Sequence, residues 1–246
     1  MDSLPHILHT ISYMGLPLLF AMVLHEYAHG WAADKCGDPT AKLQGRLTMN
    51  PLAHIDPFGT IILPLMCLIL PGSFLLGWAK PVPIDPRTMH RPRRDMALVA
   101  AAGPGMNLLL AVVSALLLAC LLTLEPTLLV RQAAGAGPQP DSMTTMFLLP
   151  IAVMAFYSVM INVFLALFNL IPIPPLDGGR ILTCLLPAKP AMALARLEPY
   201  GMFILVGLIV FDKELRVINT ITSTFASGLS GTILSTAIGL GAGAIE

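Results

Sequence analysis

The chain has 246 residues, 56% of them hydrophobic and 11% charged, against about 25% charged in an ordinary soluble domain. Its mean hydropathy of +0.79 places it among proteins that cross a bilayer several times. A net charge of zero leaves no electrostatic case for nucleic acid as a partner, and the length leaves no room for an ordinary soluble domain beside four or more spans.

Five main hydrophobic segments follow one another along the chain. The first, Ile7 to Ala33, ends in His25-Glu26-Tyr27-Ala28-His29. Residues 1–10 carry no Lys or Arg, so the basic region of a cleavable signal is missing and this segment is expected to remain as a span. The second, Phe58 to Trp78, contains Pro64 and Pro71-Gly72, breakers that suit a re-entrant hairpin buried in protein. The third runs from Met96 to Leu124, the fourth from Thr144 to Ile171, and the fifth from near Pro190 to Phe211. Between the third and fourth, Ala133 to Pro140 reads as a loop. The tail, Leu215 to Ile245, is weakly apolar and rich in Gly, Ser and Thr; a sixth span and an interfacial segment both fit it. The four cysteines, Cys36, Cys67, Cys120 and Cys184, show no C-x-x-C spacing. A disulfide framework is not expected, and Cys67 and Cys120, in apolar runs, read as buried thiols.

Loop charge orients these segments. If residues 58–78 dip in and return, the loops at 34–57, 79–95 and 172–197 share one side. They carry eleven Lys and Arg, against Arg131, Lys213 and Arg216 opposite. That asymmetry puts the histidine motif toward the cytosol. A full crossing by residues 58–78 inverts segments three and four and divides the charges less cleanly. The expected fold is an all-α polytopic membrane protein of about 4–6 transmembrane helices, with a re-entrant segment and small β-like elements near the active site. It reads as one membrane-embedded domain, its catalytic core over roughly residues 7–187 and its C-terminal helices over 190–246.

H-E-x-x-H is the helical zinc-hydrolase motif. His25 and His29 are four residues apart, so on a helix both imidazoles stand on one face and reach one metal ion. Glu26 can reach a water on that metal and take its proton. An accidental match inside a membrane segment is disfavoured, because ionisable residues there are costly. Catalytic zinc sites take three protein ligands and a water, so a third ligand is needed. Asp177 is the best candidate: it follows segment four, Pro172, Pro174 and Pro175 stop the helix before it, and the loop-charge topology brings it to the side of His25 and His29. Its other reading is a helix N-cap or turn residue before Ile181.

The chain resembles the site-2 protease family of intramembrane zinc metalloproteases, and looks most like compact prokaryotic members without a PDZ or CBS domain. The resemblance is carried by HEYAHG at 25–30, GRLTMNPLAHIDPFGT at 45–60, GWAKPVPID at 77–85, AAGPGMN at 101–107 and NLIPIPPLDGGR at 169–180. It implies one zinc ion per chain, held by His25, His29 and Asp177, with Glu26 as the base. It also implies cleavage of membrane-spanning substrates near the cytosolic face of a prokaryotic inner membrane. Asp212-Lys213-Glu214 and the tail match nothing in the family pattern.

Ser158, Asn162 and Asn169 fall near one face of segment four; Ser158 and Asn162 read as interhelical hydrogen bonders, whereas the family motif points Asn169 toward substrate. Asn107 is divided between the cavity and helix packing. Ala97, Ala101 and Gly105 form a small-residue ridge for close helix approach. His54 reads as a hydrogen-bonding loop histidine rather than a fourth ligand, and Arg91, Arg93 and Arg94 as contacts to lipid headgroups. A helical substrate must unwind before cleavage, and strand addition to an enzyme edge would hold it; residues 41–49 and 73–84 are the β-like candidates. Expected partners are a transmembrane protein, such as a membrane-anchored regulator or a remnant signal peptide, and the bilayer; the oligomeric state is left open. The rival reading is a membrane metal-binding protein or metal transporter without proteolysis, in which Glu26 has no task.

Overall fold

A computed structural model describes residues 4–62, 78–125, 143–201 and, more sparsely, 203–204, 207, 228, 231–233, 235–236 and 238–239. Cys67, the Ala133–Pro140 stretch and most of segment two and of the tail lie outside the described residues. Those described are mostly helical, with no strand among them. Helix α1 spans Leu4–Lys35, α2 Thr40–Leu43, α3 Pro92–Leu124, α4 Met143–Asn169, α5 Asp177–Leu185 and α6 Ala188–Ala195. Short 3-10 turns cover Pro51–His54, Pro86–Thr88 and Glu198–Tyr200, and a π-helical turn covers Pro57–Ile62.

Helices α3 and α4 are long and apolar enough to cross a membrane. At about 1.5 Å per residue they run for roughly 50 and 40 Å. Each holds a proline inside it, Pro104 and Pro150, as α1 holds Pro17.

The chain divides into two compact units, each built from separate stretches of sequence. One comprises Met1–Ala21, Asn107–Leu167 and Arg216–Glu246. Its core packs Ala111, Ala115 and Leu118 of α3 with Ala152, Ala155 and Val159 of α4, and the four alanines are small enough to let helix backbones approach. Polar side chains cross this core. The buried Asn107 donates from Nδ2 to the Ala21 carbonyl (3.3 Å) and to Asn162 Oδ1 (2.9 Å). Asn162 donates to the Ser158 carbonyl, and the Ser158 hydroxyl meets that of Ser114 at 2.7 Å.

The other unit comprises Met22–Met106 and Phe168–Leu215. It holds two small cores: Ala32, Ala33, Met89 and Val99, and Ile171 with Leu176. All of the zinc-motif residues belong to it.

Three expectations are corrected. The β-like stretches do not form strands among the described residues: Thr40–Leu43 is a helical turn, and residues 78–85 take no regular secondary structure. Pro81 and Pro83 have no N–H to give. The remaining groups of this stretch bond elsewhere, Lys80 N to the His54 carbonyl and Val82 N and Asp85 N to side chains. Segment five is not one helix from Pro190: α6 ends at Ala195 and a 3-10 turn follows, with Pro199 inside it, where a missing N–H breaks the helical ladder. Cys120 is exposed on α3 rather than buried, because α3 is apolar on its outer face as well as its inner one.

Candidate metal centre

His25 and His29 stand one turn apart on α1, and Asp177 opens α5. They are 8%, 5% and 6% exposed. Their facing atoms form a nearly equilateral triangle: His25 Nε2 to His29 Nε2 is 3.0 Å, and Asp177 Oδ2 lies 3.2 Å from the first and 3.3 Å from the second. Among the described residues this is the one group of His, Cys, Asp or Glu able to hold a metal ion. Tetrahedral zinc with bonds of about 2.0–2.1 Å needs ligand atoms about 3.3 Å apart, so the triangle fits.

The chemistry of the donors agrees. His29 Nδ1 lies 2.7 Å from the Val99 carbonyl oxygen. A carbonyl only accepts, so Nδ1 carries the proton and Nε2 presents its lone pair to the triangle. A lone pair and a carboxylate oxygen facing each other repel until a cation lies between them. A ligand to such an ion must be deprotonated, and Asp177 offers a carboxylate oxygen to the triangle. The N-cap of α5 is Leu176, one residue earlier, so Asp177 does not serve as the cap.

Glycines let the three elements meet. A Cβ on Gly103 of α3 would lie 2.5 Å from His29 Cε1 and 2.6 Å from His25 Cε1, so only glycine admits the imidazole pair there. A Cβ on Gly178 would overlap the Leu170 and Ile171 carbonyl oxygens, and one on Gly179 would lie 2.6 Å from Pro174 N. The first turn of α5 thus rests on the backbone of the proline-rich stretch, which sets where Asp177 points.

Glu26, half-buried beside His25, accepts at Oε2 from the Val82 N–H at 2.9 Å. The motif at 45–60 holds that segment. Arg46 Nη2 donates to the Lys80 and Pro81 carbonyls (2.9 and 3.3 Å), and the His54 carbonyl accepts from Lys80 N (2.9 Å). Buried His54 spends Nε2 on the Thr48 carbonyl at 2.8 Å, which makes it a loop histidine. Asp56 accepts from Phe58 N and Gly59 N. The Gly59 carbonyl accepts from Trp78 N (3.0 Å), and Thr60 Oγ1 donates to the Trp78 carbonyl (2.8 Å). The two ends of segment two are therefore bonded to one another.

Asn107, Ser158 and Asn162 lie in the interhelical network of the other unit, and Asn169, half-buried, is the last residue of α4. The residues missed from the sequence are Val82, Val99, Gly103 and Gly30. Two of them act through backbone atoms, which carry no sequence signal. The glycines were visible, but the ridge reading favoured Gly105, which has nothing within 4 Å of its Cβ position.

Comparison with known proteins agrees with this geometry. The model of Peptidase family M50 matches residues 13–211. The chain is 38% identical over 205 residues to "Putative zinc metalloprotease YwhC" of Bacillus subtilis strain 168, covering 82% of each chain. It is 31% identical over 206 residues to "Putative zinc metalloprotease Rip2" of Mycolicibacterium smegmatis, covering 81% of this chain and 70% of that one. No solved structure matches. The chain belongs to Peptidase family M50, the site-2 protease family, and is a zinc metalloprotease.

Proposed function

We propose that the chain is an intramembrane endopeptidase that cleaves membrane-spanning proteins near the cytosolic face of a prokaryotic inner membrane, as a step of regulated intramembrane proteolysis. The observation that carries this reading is the buried triangle of His25, His29 and Asp177 near the end of an apolar helix, with Glu26 beside it. The faces of the long helices support a lipid setting. Leu109, Val112, Val113 and Leu116 of α3 and Phe147, Ile151 and Phe164 of α4 are all exposed, and hydrocarbon rather than water suits so large an apolar surface. The bonds between Gly59, Thr60 and Trp78 support a second segment that returns to the side it left, because a single crossing would part its ends by about 30 Å. With that topology the basic loops and the zinc motif share the cytosolic side.

In this reading His25, His29 and Asp177 hold one zinc ion. When bound, zinc supplies Lewis acidity and brings a water's pKa toward neutrality. Val99 fixes the tautomer of His29 through its carbonyl, so that Nε2 is free to bind. Glu26 takes a proton from the attacking water and returns it to the leaving amine. Its other oxygen is engaged by Val82, which leaves Oε1 for the proton. The substrate is a transmembrane segment of a membrane-anchored regulator or a remnant signal peptide. It does not add as a strand along residues 80–82, where the Lys80 and Val82 N–H groups and the Lys80 and Pro81 carbonyls are already engaged within the enzyme.

Wild type and Glu26→Gln, each in its native membrane, should differ in the membrane-protein fragments released, as read by quantitative proteomics. Glu26→Gln should retain one zinc per chain and release none of those fragments, whereas alanine at His25, His29 or Asp177 should lose the metal. Retained cleavage by Glu26→Gln refutes the assignment of the base. Fragments derived only from water-soluble proteins refute the intramembrane substrate.

A further inference from the structure

We infer that Val82, seated on Gly30, is a positioning residue for Glu26: its backbone N–H fixes the carboxylate that moves the proton. The inference rests on the reading of Glu26 as the base. Glu26 and Gly30 are four residues apart, so they share a face of α1. The Val82 side chain, 6% exposed, lies against that face. A Cβ on Gly30 would be 3.1 Å from Val82 Cγ1 and 3.3 Å from Leu47 Cδ1, so glycine is what allows the extended segment to come this close. From that seat the Val82 N–H reaches Glu26 Oε2 at 2.9 Å.

The segment around Val82 is fixed independently. Arg46 holds the carbonyls of Lys80 and Pro81, His54 holds the N–H of Lys80, and buried Asp38 accepts from Asp85 N at 2.7 Å. Pro81 and Pro83 flank Val82, so its N–H is the only one between residues 80 and 84. The Lys80 N–H and the Lys80 and Pro81 carbonyls are held by other partners, and the one N–H between residues 80 and 84 meets the catalytic carboxylate. A carboxylate on a flexible stem needs such a partner, since a catalytic group must be held to within about 0.5 Å of its productive place.

The position also suits a clean test. Val82 precedes Pro83 and is already restricted to extended conformations. Val82→Pro therefore replaces the N–H by a ring carbon with little demand on the backbone, so that it both removes the donor and crowds Glu26 Oε2, whereas Val82→Ala removes side chain and keeps the N–H. Two measurements are made on the full-length protein in detergent, loaded with zinc. Hydrogen exchange is read on a peptide spanning residues 79–85 and needs no substrate. Glu26→Ala should let that peptide take up about one more deuteron, at Val82; unchanged uptake overturns the proposal. Kinetics are read with fluorescein-labelled casein. Val82→Pro should lower kcat about tenfold or more with KM and zinc content near wild type, and Val82→Ala should lose far less. Gly30→Ala should also lower kcat, and adding Val82→Ala to it should recover turnover by relieving the 3.1 Å contact. Equal losses in Val82→Pro and Val82→Ala, or zinc content and melting temperature falling together with kcat, overturn the proposal in favour of a merely structural contact. A Glu26→Gln chain that still cleaves overturns the reading beneath it, whatever the exchange result.

Discussion

Gly103→Ala is the smallest change that the metal centre should not survive. The added carbon would lie 2.5 Å from His29 Cε1 and 2.6 Å from His25 Cε1. Ordinary contact begins near 3.4 Å, so both rings must retreat by about 0.8–0.9 Å or more, while zinc–ligand distances tolerate only about 0.2 Å. His29 cannot simply pivot away, because its Nδ1 is bonded to the Val99 carbonyl at 2.7 Å. The expected result is a fall in zinc affinity of about a hundredfold or more, beyond what loss of an outer hydrogen bond costs a metal site, at a packing cost of about 1–3 kcal/mol. Gly105→Ala, two residues along the same helix, is the control. Nothing lies within 4 Å of its Cβ position, so it should keep zinc and gain about 0.5–1 kcal/mol from helix propensity. Zinc per chain after dialysis against a calibrated chelator, with thermal unfolding alongside, reads both effects. Stoichiometric zinc and normal turnover in Gly103→Ala would refute the packing argument and with it the placement of α3 against the ligands.

Three further predictions concern the surrounding frame. Gly178→Ala should lose zinc and much of the folded yield, since its Cβ would overlap two backbone carbonyls rather than movable side chains; a metal-replete Gly178→Ala protein would show that α5 is not seated as described. Burial pushes the buried Asp38 carboxyl up, but hydrogen bonds from Thr40 and Asp85 outweigh it and leave its pKa below the ordinary value. Its contribution is therefore present above the unfolded carboxylate pKa of about 3.9 and lost as pH falls through the lower folded value. Asp38→Asn should melt earlier at neutral pH and show a shallower decline in acid, and identical pH curves would count against a stabilising role for the Thr40 and Asp85 hydrogen bonds. Single cysteines placed at Ala53 and Ala79 on a cysteine-free background should label from the same membrane face with an impermeant maleimide; labelling from opposite faces would rule out the re-entrant second segment.

Much of the site was legible because its rules are local. The four-residue spacing of His25 and His29 fixes one helix face through the 3.6-residue turn, whatever surrounds it. The run from Pro172 to Gly179 announces a chain forced off its helix and then allowed a close approach, and Asp177 stands within it. The strand expectation failed for an equally physical reason. Residues 73–84 were read as β-like, but the N–H groups of Lys80, Val82 and Asp85 go to His54, Glu26 and Asp38 rather than to a ladder, and a sequence does not state who accepts a backbone N–H.

By itself, then, the sequence determined the long apolar helices and the helical pair of histidines with Glu26 between them, because periodicity acts over a few residues, and it offered Asp177 as the best candidate for their partner through loop charge, Pro–Gly punctuation and the family resemblance. Only the tertiary structure decided which glycine faces the imidazoles, Gly103 rather than Gly105, which carbonyl sets the tautomer of His29, and which N–H grips Glu26. Those are matters of approach between distant stretches, settled by packing and by atoms that every residue shares.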